Sequence, residues 1–430
     1  MIFDTITLIL GAAVLLLAAL TALLSPFRRD KLPEPSEAPS ADIATDEANQ
    51  SPLPSGGVGG GYQVGGGYFP PLTLLVTVQQ KQAHMLRRHL PQLLSQDYEG
   101  GYEVVVVGEK SDSDTEDILN SYAGNPLLYA TYVPDSSRYM SRKKLAITLG
   151  VKAAHNEWIV MTDAYCSPSG DHWLQALASH ITDNATSETN QAPLPSGGAG
   201  GGCQAGGGCN LIIGYSNYDD ESRPYYRFER LQQACYTMRE ARRSTAYRAM
   251  GCNVVFRKSE FIEGDGYRGN LEHTRGEYDF LVNKYARRHL TAVANEPEAW
   301  VIDDAPTRHE WRSRHIYYMH TRKHLARSFR HRLLPFIDEV ALHLCFLAAI
   351  GIGVFAALTS RWILLGISIV AFVLNICLRT SFARKAVRAY GEDIASWRLY
   401  PYELSGIWHK LYQHLRYWRA NKTDFTTHKI

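Results

Sequence analysis

Long apolar stretches lie near both ends of the chain, whereas the middle alternates short apolar runs with polar segments. Thr5–Leu24 carries no charge and matches the ~20 apolar residues that an α-helix needs to span a bilayer. Two further apolar stretches, 340–358 and 362–378, are separated only by Thr-Ser-Arg. This pattern predicts an N-terminal anchor at residues 1–25 and a transmembrane helical hairpin at residues 333–379, hence three transmembrane helices.

Charges beside these stretches indicate their orientation. Asp4 precedes the first stretch and Arg28 and Arg29 follow it, which favours an uncleaved anchor over a secretion signal. The segment 308–332, before the hairpin, carries eight Arg or Lys and one Glu, and a basic cluster also follows the hairpin. Since positive charge marks the cytoplasmic side, we expect a multi-pass protein of the cytoplasmic (inner) membrane, with its central domain and C-terminus in the cytoplasm. A helical hairpin buried in a soluble protein is the alternative.

Three segments have biased compositions. Residues 26–68 are rich in Pro, Ser, acidic residues and Gly, which predicts a disordered linker. Its last part, PLPSGGVGGGYQVGGGY, recurs as PLPSGGAGGGCQAGGGC at 193–209, and neither copy has the Lys-Ser/Thr of a phosphate loop. We therefore expect a low-complexity insert at 183–209. Residues 380–430 mix aromatic and basic side chains, which predicts an amphipathic cytoplasmic tail on the membrane face.

Between the linker and the hairpin, residues 69–330 have the pattern of an α/β domain. Near-continuous apolar runs predict strands, and helical spacing predicts helices between them. The predicted strands are 72–78, 102–107, 127–133 and 158–162, and the predicted helices are 84–95, 115–122 and 143–154. Such alternation is typical of a mostly parallel central sheet, where ligands bind beyond the carboxyl ends of the strands. Glu109 and Asp163 come just after two of these strands.

Composition narrows the range of partners. The 430 residues include 45 Lys and Arg and 43 Asp and Glu, so the formal net charge is only +2. A charge this close to balance argues against a nucleic-acid binder. The seven cysteines show neither a CxxC pair nor the spacing of zinc ligands, so the sequence predicts reduced thiols.

Three segments of the domain carry a more specific signal. They read QDYEGGYEVVVVGEKSDSDTEDIL, SRKKLAITLGVKAAHNEWIVMTDAYCSPSGDHWL and AMGCNVVFRKSEF. In this order they resemble the membrane-anchored glycosyltransferases of family 2, which have the GT-A fold. The resemblance implies an inverting hexosyltransferase that moves a sugar from a nucleotide-diphosphate donor to a glycan or lipid-linked acceptor. It also implies membrane lipids and other enzymes of glycan assembly as partners, and Mg²⁺ or Mn²⁺ as a divalent metal cofactor.

On the donor side, the resemblance implies roles for residues near the strand ends. Glu109 would contact the nucleotide base, and Asp163 would bind the ribose and ligate the metal. Lys143 and Lys144 would neutralise the donor phosphates, and solvated surface lysines are the alternative. The family pattern has a second acid two residues after Asp163. Here that position is Tyr165, whose neutral phenol is a weak ligand that puts the metal in doubt.

On the acceptor side, the stretch RGEYDFLVNKY resembles the family segment that supplies the catalytic base. Glu277 or Asp279 would deprotonate the acceptor hydroxyl, and two acids that merely stabilise a helix start are the alternative. On a helix these two side chains would point in different directions, so we expect one base at most. Tyr278 stands where the family usually has an aspartate.

The segment HEWRSRHIYYMHTRKH lies where the family carries Gln-x-x-Arg-Trp, and its residues differ from that motif. Trp311, Arg312 and Arg314 lie close by and would contact the diphosphate or the acceptor, with a lipid headgroup as the alternative ligand. Together with Tyr165 and Tyr278, this departure leaves two classes of function open. One is an active transferase, and the other is a catalytically inactive, glycosyltransferase-like binding or scaffold protein.

Overall fold

The structure is a computed structural model that describes residues 5–28, 32–33, 62–64, 67–135, 141–181, 209–249 and 251–426. The helices are α1 (Thr5–Leu24), α2 (Ala83–Leu94), α3 (Ser113–Ser121), α4 (Arg142–Ala153), α5 (Trp173–Ala178), α6 (Pro224–Arg243), α7 (Lys258–Glu263), α8 (Glu277–Tyr285), α9 (Arg308–Thr321), α10 (Ser328–Leu358), α11 (Trp362–Ala389) and α12 (Ser396–Arg419). The strands are β1 (Tyr62–Val64), β2 (Gly67–Phe69), β3 (Leu72–Thr77), β4 (Tyr102–Glu109), β5 (Leu128–Val133), β6 (Trp158–Asp163), β7 (Cys166–Pro168), β8 (Leu211–Gly214), β9 (Ser216–Tyr218), β10 (Val254–Arg257), β11 (Thr291–Ala294) and β12 (Val301–Asp303).

In the described part of the chain, the central sheet has seven strands in the order β11-β8-β10-β6-β3-β4-β5. Strand β10 runs antiparallel to both of its neighbours, and the other pairs are parallel. Every residue of β3 and β6 is buried, because helices and neighbouring strands cover these central strands. The predicted α/β fold with a mostly parallel sheet is confirmed, and the predicted strands and helices match β3–β6 and α2–α4 to within two residues.

The strands of a second, smaller sheet alternate along the chain with the later strands of the central one. The smaller sheet has the order β7-β12-β9, with β12 antiparallel to β7 and parallel to β9. This sheet begins three residues after Asp163, so it continues the polypeptide from the end of β6 into the region of the predicted site.

Two segments predicted to have low complexity are only partly described. Within residues 26–68, the strands β1 and β2 pair as an antiparallel hairpin, and Phe27 packs on Phe228 with ring centroids 5.7 Å apart. The remainder of that linker, and the insert 183–209 apart from its buried last residue Cys209, lie outside the described residues.

Within the described residues, three helices are long and apolar enough to cross a membrane. Their candidate spans are Thr5–Leu24, His331–Leu358 and Trp362–Ala389, in agreement with the three predicted transmembrane segments. Helices α10 and α11 extend beyond the predicted apolar stretches at their outer ends. The three helices pack on one another through small and branched residues, which are Val14, Ala18, Cys345, Ala349 and Ala371.

A buried ion triad joins the hairpin to the tail. The guanidinium of Arg379 lies 2.8 Å from Asp338 and 2.6 Å from Glu403, and all three side chains are 1% exposed. These residues belong to α11, α10 and α12 respectively, so the triad fixes the tail helix against the hairpin. Helix α12 carries three exposed tryptophans, Trp397, Trp408 and Trp418. Exposed aromatic side chains on an amphipathic helix suit a membrane interface.

Candidate active site

The site begins at the carboxyl end of β6, where Asp163 is the last residue of a buried strand. In the parallel pairing of β3 and β6, Thr77 lies opposite Asp163. Because of this register, the Thr77 hydroxyl donates a 2.6 Å hydrogen bond to one carboxylate oxygen of Asp163. The Lys143 ammonium, near the start of α4, lies 2.6 Å from the other oxygen. Both oxygens of this 1% exposed carboxylate therefore have a partner.

The charge of Lys143 determines the ionisation of Asp163. Burial by itself would raise the pKa of Asp163, but the ammonium of Lys143 and the hydroxyl of Thr77 hold that pKa below its ordinary value. The ring centroids of Tyr165 and Tyr278 lie 5.8 Å and 5.0 Å from the Lys143 nitrogen. Two aromatic faces therefore line the space beside the ion pair, and they stabilise the ammonium by cation–π attraction.

The residues at this strand end do not fit a divalent cation. Mg²⁺ and Mn²⁺ need several oxygen ligands, of which carboxylates are the strongest. Asp163 already holds an ammonium 2.6 Å away, and the next acid position is Tyr165, whose burial raises its pKa well above the ordinary value. A phenol that stays protonated is a poor ligand, so a metal here would have to displace Lys143 without a second acid to help.

A cavity of about 220 Å³ opens beside this ion pair. It is bordered by cationic, acidic and aromatic side chains, a mixture that suits a sugar and a phosphate group together. Its cations are Lys143, Arg230, Arg248, Arg275 and Arg314, its acids are Glu229, Glu277, Asp279 and Asp303, and its aromatic residues include Tyr165, Tyr218, Tyr226, Tyr278 and Trp311.

Helix α8 presents its first residues to this cavity. Gly276, at φ 90°, precedes the helix, and a Cβ there would come within 2.5 Å of the Thr321 side chain. The chain therefore approaches α9 closely at this glycine, which directs the start of α8 into the cavity. Glu277 and Asp279 both line the cavity, and both carboxylates are at most 9% exposed.

The two acids of α8 differ in their partners. Asp279 lies 3.3 Å from the Arg248 guanidinium. Burial raises the pKa of Asp279 above its ordinary value, and Arg248 opposes that rise. Glu277, in contrast, makes no side-chain hydrogen bond or ion pair with any residue in the described part of the chain. Glu277 is therefore the acid whose oxygens are available to a ligand.

A second buried carboxylate, Asp303 at the end of β12, anchors the opposite part of the cavity. Arg230 lies 2.7 Å from Asp303 and Arg314 lies 3.4 Å from it. The hydroxyl of Tyr218 also accepts a 3.3 Å hydrogen bond from Arg314. Asp303 thus positions Arg314, which remains 34% exposed toward the cavity.

A cysteine pair lies next to Asp303. Cys166 and Cys252 form a disulfide, although the sequence pattern predicts reduced thiols, so that prediction is wrong for this pair. The two residues are 86 positions apart and their neighbours show no paired-cysteine motif, which is why the chain pattern does not reveal the bond. Cys209, Cys235, Cys345 and Cys377 are not in a disulfide, in agreement with the predicted reduced thiols.

The structure brings some of the sequence-predicted residues together and leaves others outside the cavity. Lys143, Glu277, Asp279, Trp311 and Arg314 line it, and Asp163 is bonded to Lys143 at its edge.

Lys144, Glu109 and Arg312 do not line the cavity. The ammonium of Lys144 is fully buried and donates to the carbonyl oxygens of Asn270 and His273 at 2.6 and 2.7 Å. Burial lowers the pKa of Lys144 to about 8. Glu109 lies at the end of β4, where it pairs with Arg142 at 2.9 Å.

Sequence reasoning missed five charged residues of the cavity, Glu229, Arg230, Arg248, Arg275 and Asp303. Asp303 follows the short apolar pair Val-Ile, which is a strand-end acid of the same kind as Asp163. The run VIDDAP therefore offered a signal for it. Arg230 lies within a long helix among other charged residues, and Arg248 lies in an irregular segment, so neither has a local pattern that distinguishes it from solvated arginines.

Comparison with known proteins agrees with this geometry. Residues 73–193 match the family described as Glycosyl transferase family 2. The match starts in β3 and extends past α5, so it includes Lys143, Asp163 and Tyr165. No curated protein matches the sequence. This part of the α/β domain is thus similar to glycosyl transferase family 2, in agreement with the resemblance seen in the sequence.

Among solved structures, similarity extends to the mannosyltransferase PcManGT from Pyrobaculum calidifontis, in complex with GDP-Man and Mn2+. The TM-score is 0.47 and the sequence identity is 16%, over 89% of this chain and 98% of that chain. At this TM-score the likeness carries no argument about function.

Proposed function

We propose that the protein is a membrane-bound, inverting glycosyltransferase that transfers a hexose from a nucleotide-diphosphate donor to a glycan or lipid-linked acceptor at the cytoplasmic face. One observation supports this proposal above the others. Glu277 is a buried carboxylate that makes no side-chain hydrogen bond or ion pair among the described residues, and it lines the same cavity as Lys143, Arg248 and Arg314. A base and a set of cations around one space are what an inverting transfer needs.

In the proposed reaction, the acceptor hydroxyl oxygen attacks the anomeric carbon of the donor sugar while its proton passes to the Glu277 carboxylate. The bond between the anomeric carbon and the diphosphate oxygen breaks, and its electron pair leaves with the nucleoside diphosphate. Negative charge therefore grows on the diphosphate as the bond lengthens. Lys143 and Arg314 would stabilise that charge, and Asp303 keeps the Arg314 guanidinium in place.

No step of this mechanism passes through a divalent metal, because the residues around Asp163 do not fit one. The cations of the cavity would instead balance the charge of the leaving diphosphate. Asp163 would act by positioning Lys143. Its carboxylate oxygens could also accept a hydrogen bond from the donor ribose.

The acceptor would approach from the side of the cavity formed by α9. Trp311 stacks on Tyr226 with ring centroids 4.3 Å apart and an interplanar angle of 10°, and both rings line the cavity. Aromatic faces of this kind bind the apolar faces of sugar rings. Helix α9 also contacts the tail helix α12, so an acceptor held here would lie close to the membrane face that α12 is proposed to contact.

The test uses the full chain in lipid nanodiscs and a panel of UDP- and GDP-linked hexoses. Calorimetry measures nucleotide binding, and release of nucleoside diphosphate measures turnover with and without a lipid extract that contains acceptors. We expect binding of one nucleotide and turnover that increases with the extract. Arg314→Gln should weaken diphosphate binding by about 10-fold, since a charge-assisted contact is worth about 1.5–3 kcal/mol. Arg308→Gln, an exposed arginine at the start of the same helix, is the matched control.

The second candidate function is a catalytically inactive protein that binds a nucleotide or a glycan within an assembly complex. The observation that favours it is the ion pair of Asp163 with Lys143, together with Tyr165 at the second acid position. Nucleotide binding without turnover for any donor in the panel would select this candidate. Absence of nucleotide binding would overturn the transferase.

A further inference from the structure

A cluster of three histidines lies behind the candidate active site. His273 precedes α8, His320 lies in the last turn of α9, and His324 follows in the turn after that helix. His320 and His324 are four residues apart, in the stretch HTRKH, so their rings lie on one side of the chain. His273 is 3% exposed, His320 is half-buried and His324 is exposed.

The distances within the cluster are those of metal ligands. The Nδ1 atom of His273 and the Nε2 atom of His320 are 3.3 Å apart. Two nitrogens bound to tetrahedral zinc at 2.0–2.1 Å are separated by about 3.3 Å, so this pair already has the required spacing. The ligand atoms of all three histidines lie within 4.8 Å of one another, and the exposed His324 ring can rotate toward the other two.

Polar groups lie near the outer nitrogens of the two inner rings. A carboxylate oxygen of Glu272 lies 3.7 Å from Nε2 of His273. The hydroxyl of Tyr417 lies 3.5 Å from Nδ1 of His320. On metal binding, these groups would be placed to accept the outer N–H groups and so make the inner nitrogens better ligands. The carboxylate also offsets part of the positive charge that a metal would bring.

The rings are held in place by stacking. His273 stacks on Phe280, with ring centroids 5.3 Å apart, and His320 stacks on Phe425 at 4.8 Å, each with an interplanar angle of 14°. The stacking fixes the orientation of these two rings, as ligands of one metal ion require.

We propose that His273, His320 and His324 bind one transition-metal ion, with Zn²⁺ as the best-suited ion, and that water completes a tetrahedral coordination sphere. Imidazole ligands favour zinc, copper and nickel over magnesium and calcium, so this site is distinct in chemistry from a donor-side Mg²⁺ or Mn²⁺ site. The ion would link the segment before α8 to the end of α9, and Phe425 and Thr426 of the tail contact this cluster.

The experiment measures metal in the full chain, purified in detergent after treatment with a chelator. Zn²⁺ is returned in competition with a chromophoric chelator, and Co²⁺ is used in parallel because tetrahedral Co²⁺ absorbs visible light. We expect one tightly bound Zn²⁺ per chain. His320→Gln and His324→Gln should each weaken its affinity by more than about 100-fold, since losing a residue that only orients a ligand already costs about 10- to 100-fold.

The controls separate this site from the other histidines of the chain. His309→Gln removes an exposed histidine from the same helix, α9, and should leave zinc binding unchanged. His324 is exposed, so His324→Gln tests the site in a protein that keeps its fold. Circular dichroism checks that fold. If the wild type binds no more zinc than His324→Gln does, or if His309→Gln weakens binding equally, the proposal is wrong.

Discussion

Two buried carboxylates, Asp163 at the end of β6 and Glu277 at the start of α8, stand in different electrostatic surroundings. Asp163 has both oxygens occupied, by the Thr77 hydroxyl and the Lys143 ammonium, each at 2.6 Å. Glu277 has neither kind of partner in the described part of the chain. Their exposures, 1% and 7%, are similar, so burial does not distinguish them.

The difference shows that a partner decides what a buried acid can do. A carboxylate paired with an ammonium is held ionised and has a lowered proton affinity, as the pKa of Asp163 shows. Such a group positions a cation well but is a poor base. A carboxylate without a hydrogen-bond or ion-pair partner keeps its oxygens for a substrate proton, which is why we propose the base in α8 rather than in β6.

The largest expected effect comes from removing the base. Glu277→Gln keeps the size and hydrogen-bonding shape of the side chain but cannot accept the acceptor proton. We expect turnover to fall by about 10²- to 10⁴-fold, the usual contribution of general base catalysis. Nucleotide affinity should change little, because the diphosphate is proposed to contact Lys143 and Arg314. Release of nucleoside diphosphate and calorimetry measure the two quantities.

The matched control for this variant is Glu263→Gln, an exposed glutamate in α7 outside the cavity. Its turnover should equal that of the wild type. Turnover within a few-fold of wild type in Glu277→Gln would assign the base to another residue.

Asp163→Asn removes the ion pair between Asp163 and Lys143. Lys143 would then keep its buried charge without a counterion, which destabilises a fold by about 3 kcal/mol or more. Thermal unfolding in detergent should show a lowered midpoint, and Asp163→Asn combined with Lys143→Met should recover part of the loss. An unchanged midpoint in the single variant would show that the pair contributes nothing to stability.

The same pair gives a pH dependence. Because the pKa of Asp163 is lowered in the folded protein, its contribution to stability is present above the unfolded value of about 4. That contribution is lost as the pH falls through the lower folded value. Asp163→Asn should therefore lose less stability than the wild type on acidification below about pH 4.

The strands β3, β4 and β6 could be predicted from sequence because each contains a continuous apolar run that is buried in the middle of the sheet. Asp163 follows from the same reasoning, since it ends one of these runs. The short strands β9 and β12 have three residues each, so they give a much weaker signal than the long apolar runs. Asp303, at the end of β12, was missed for that reason.

Side-chain partners were less predictable than strand ends. Lys143 and Lys144 are adjacent basic residues in sequence, yet one lines the cavity and the other is fully buried under the loop before α8. Their side chains point in directions about 100° apart around the helix axis, and the sequence alone does not show which direction faces the cavity. The three-histidine cluster could not be predicted either, because His273 lies 47 residues before His320 and only the fold brings them together.

Tyr165→Asp tests whether a second acid would change the role of Asp163. In the wild type we expect EDTA or Mn²⁺ to change the nucleotide affinity by less than about 2-fold. A tenfold change in affinity would correspond to about 1.4 kcal/mol. The variant would offer two carboxylates at one strand end, which suits a hard cation. Its affinity for the nucleotide should therefore increase about 10-fold when Mn²⁺ is added. Tyr165→Phe, which removes only the hydroxyl, is the control and should stay independent of metal. Strong Mn²⁺ dependence in the wild type would contradict the poor fit of the site to a metal.

The smallest effect is expected for Asp279→Asn, which separates the two acids of α8. Asp279 lies 3.3 Å from Arg248, so its carboxylate is occupied as that of Asp163 is. Removing its charge should lower turnover by less than about 10-fold, because it disturbs the position of Arg248 but leaves the proton acceptor in place. The measurement is turnover per folded protein, compared directly with Glu277→Gln. If Asp279→Asn proves the more damaging of the two, the base is Asp279, and a pairing with Arg248 does not prevent a buried acid from accepting a proton.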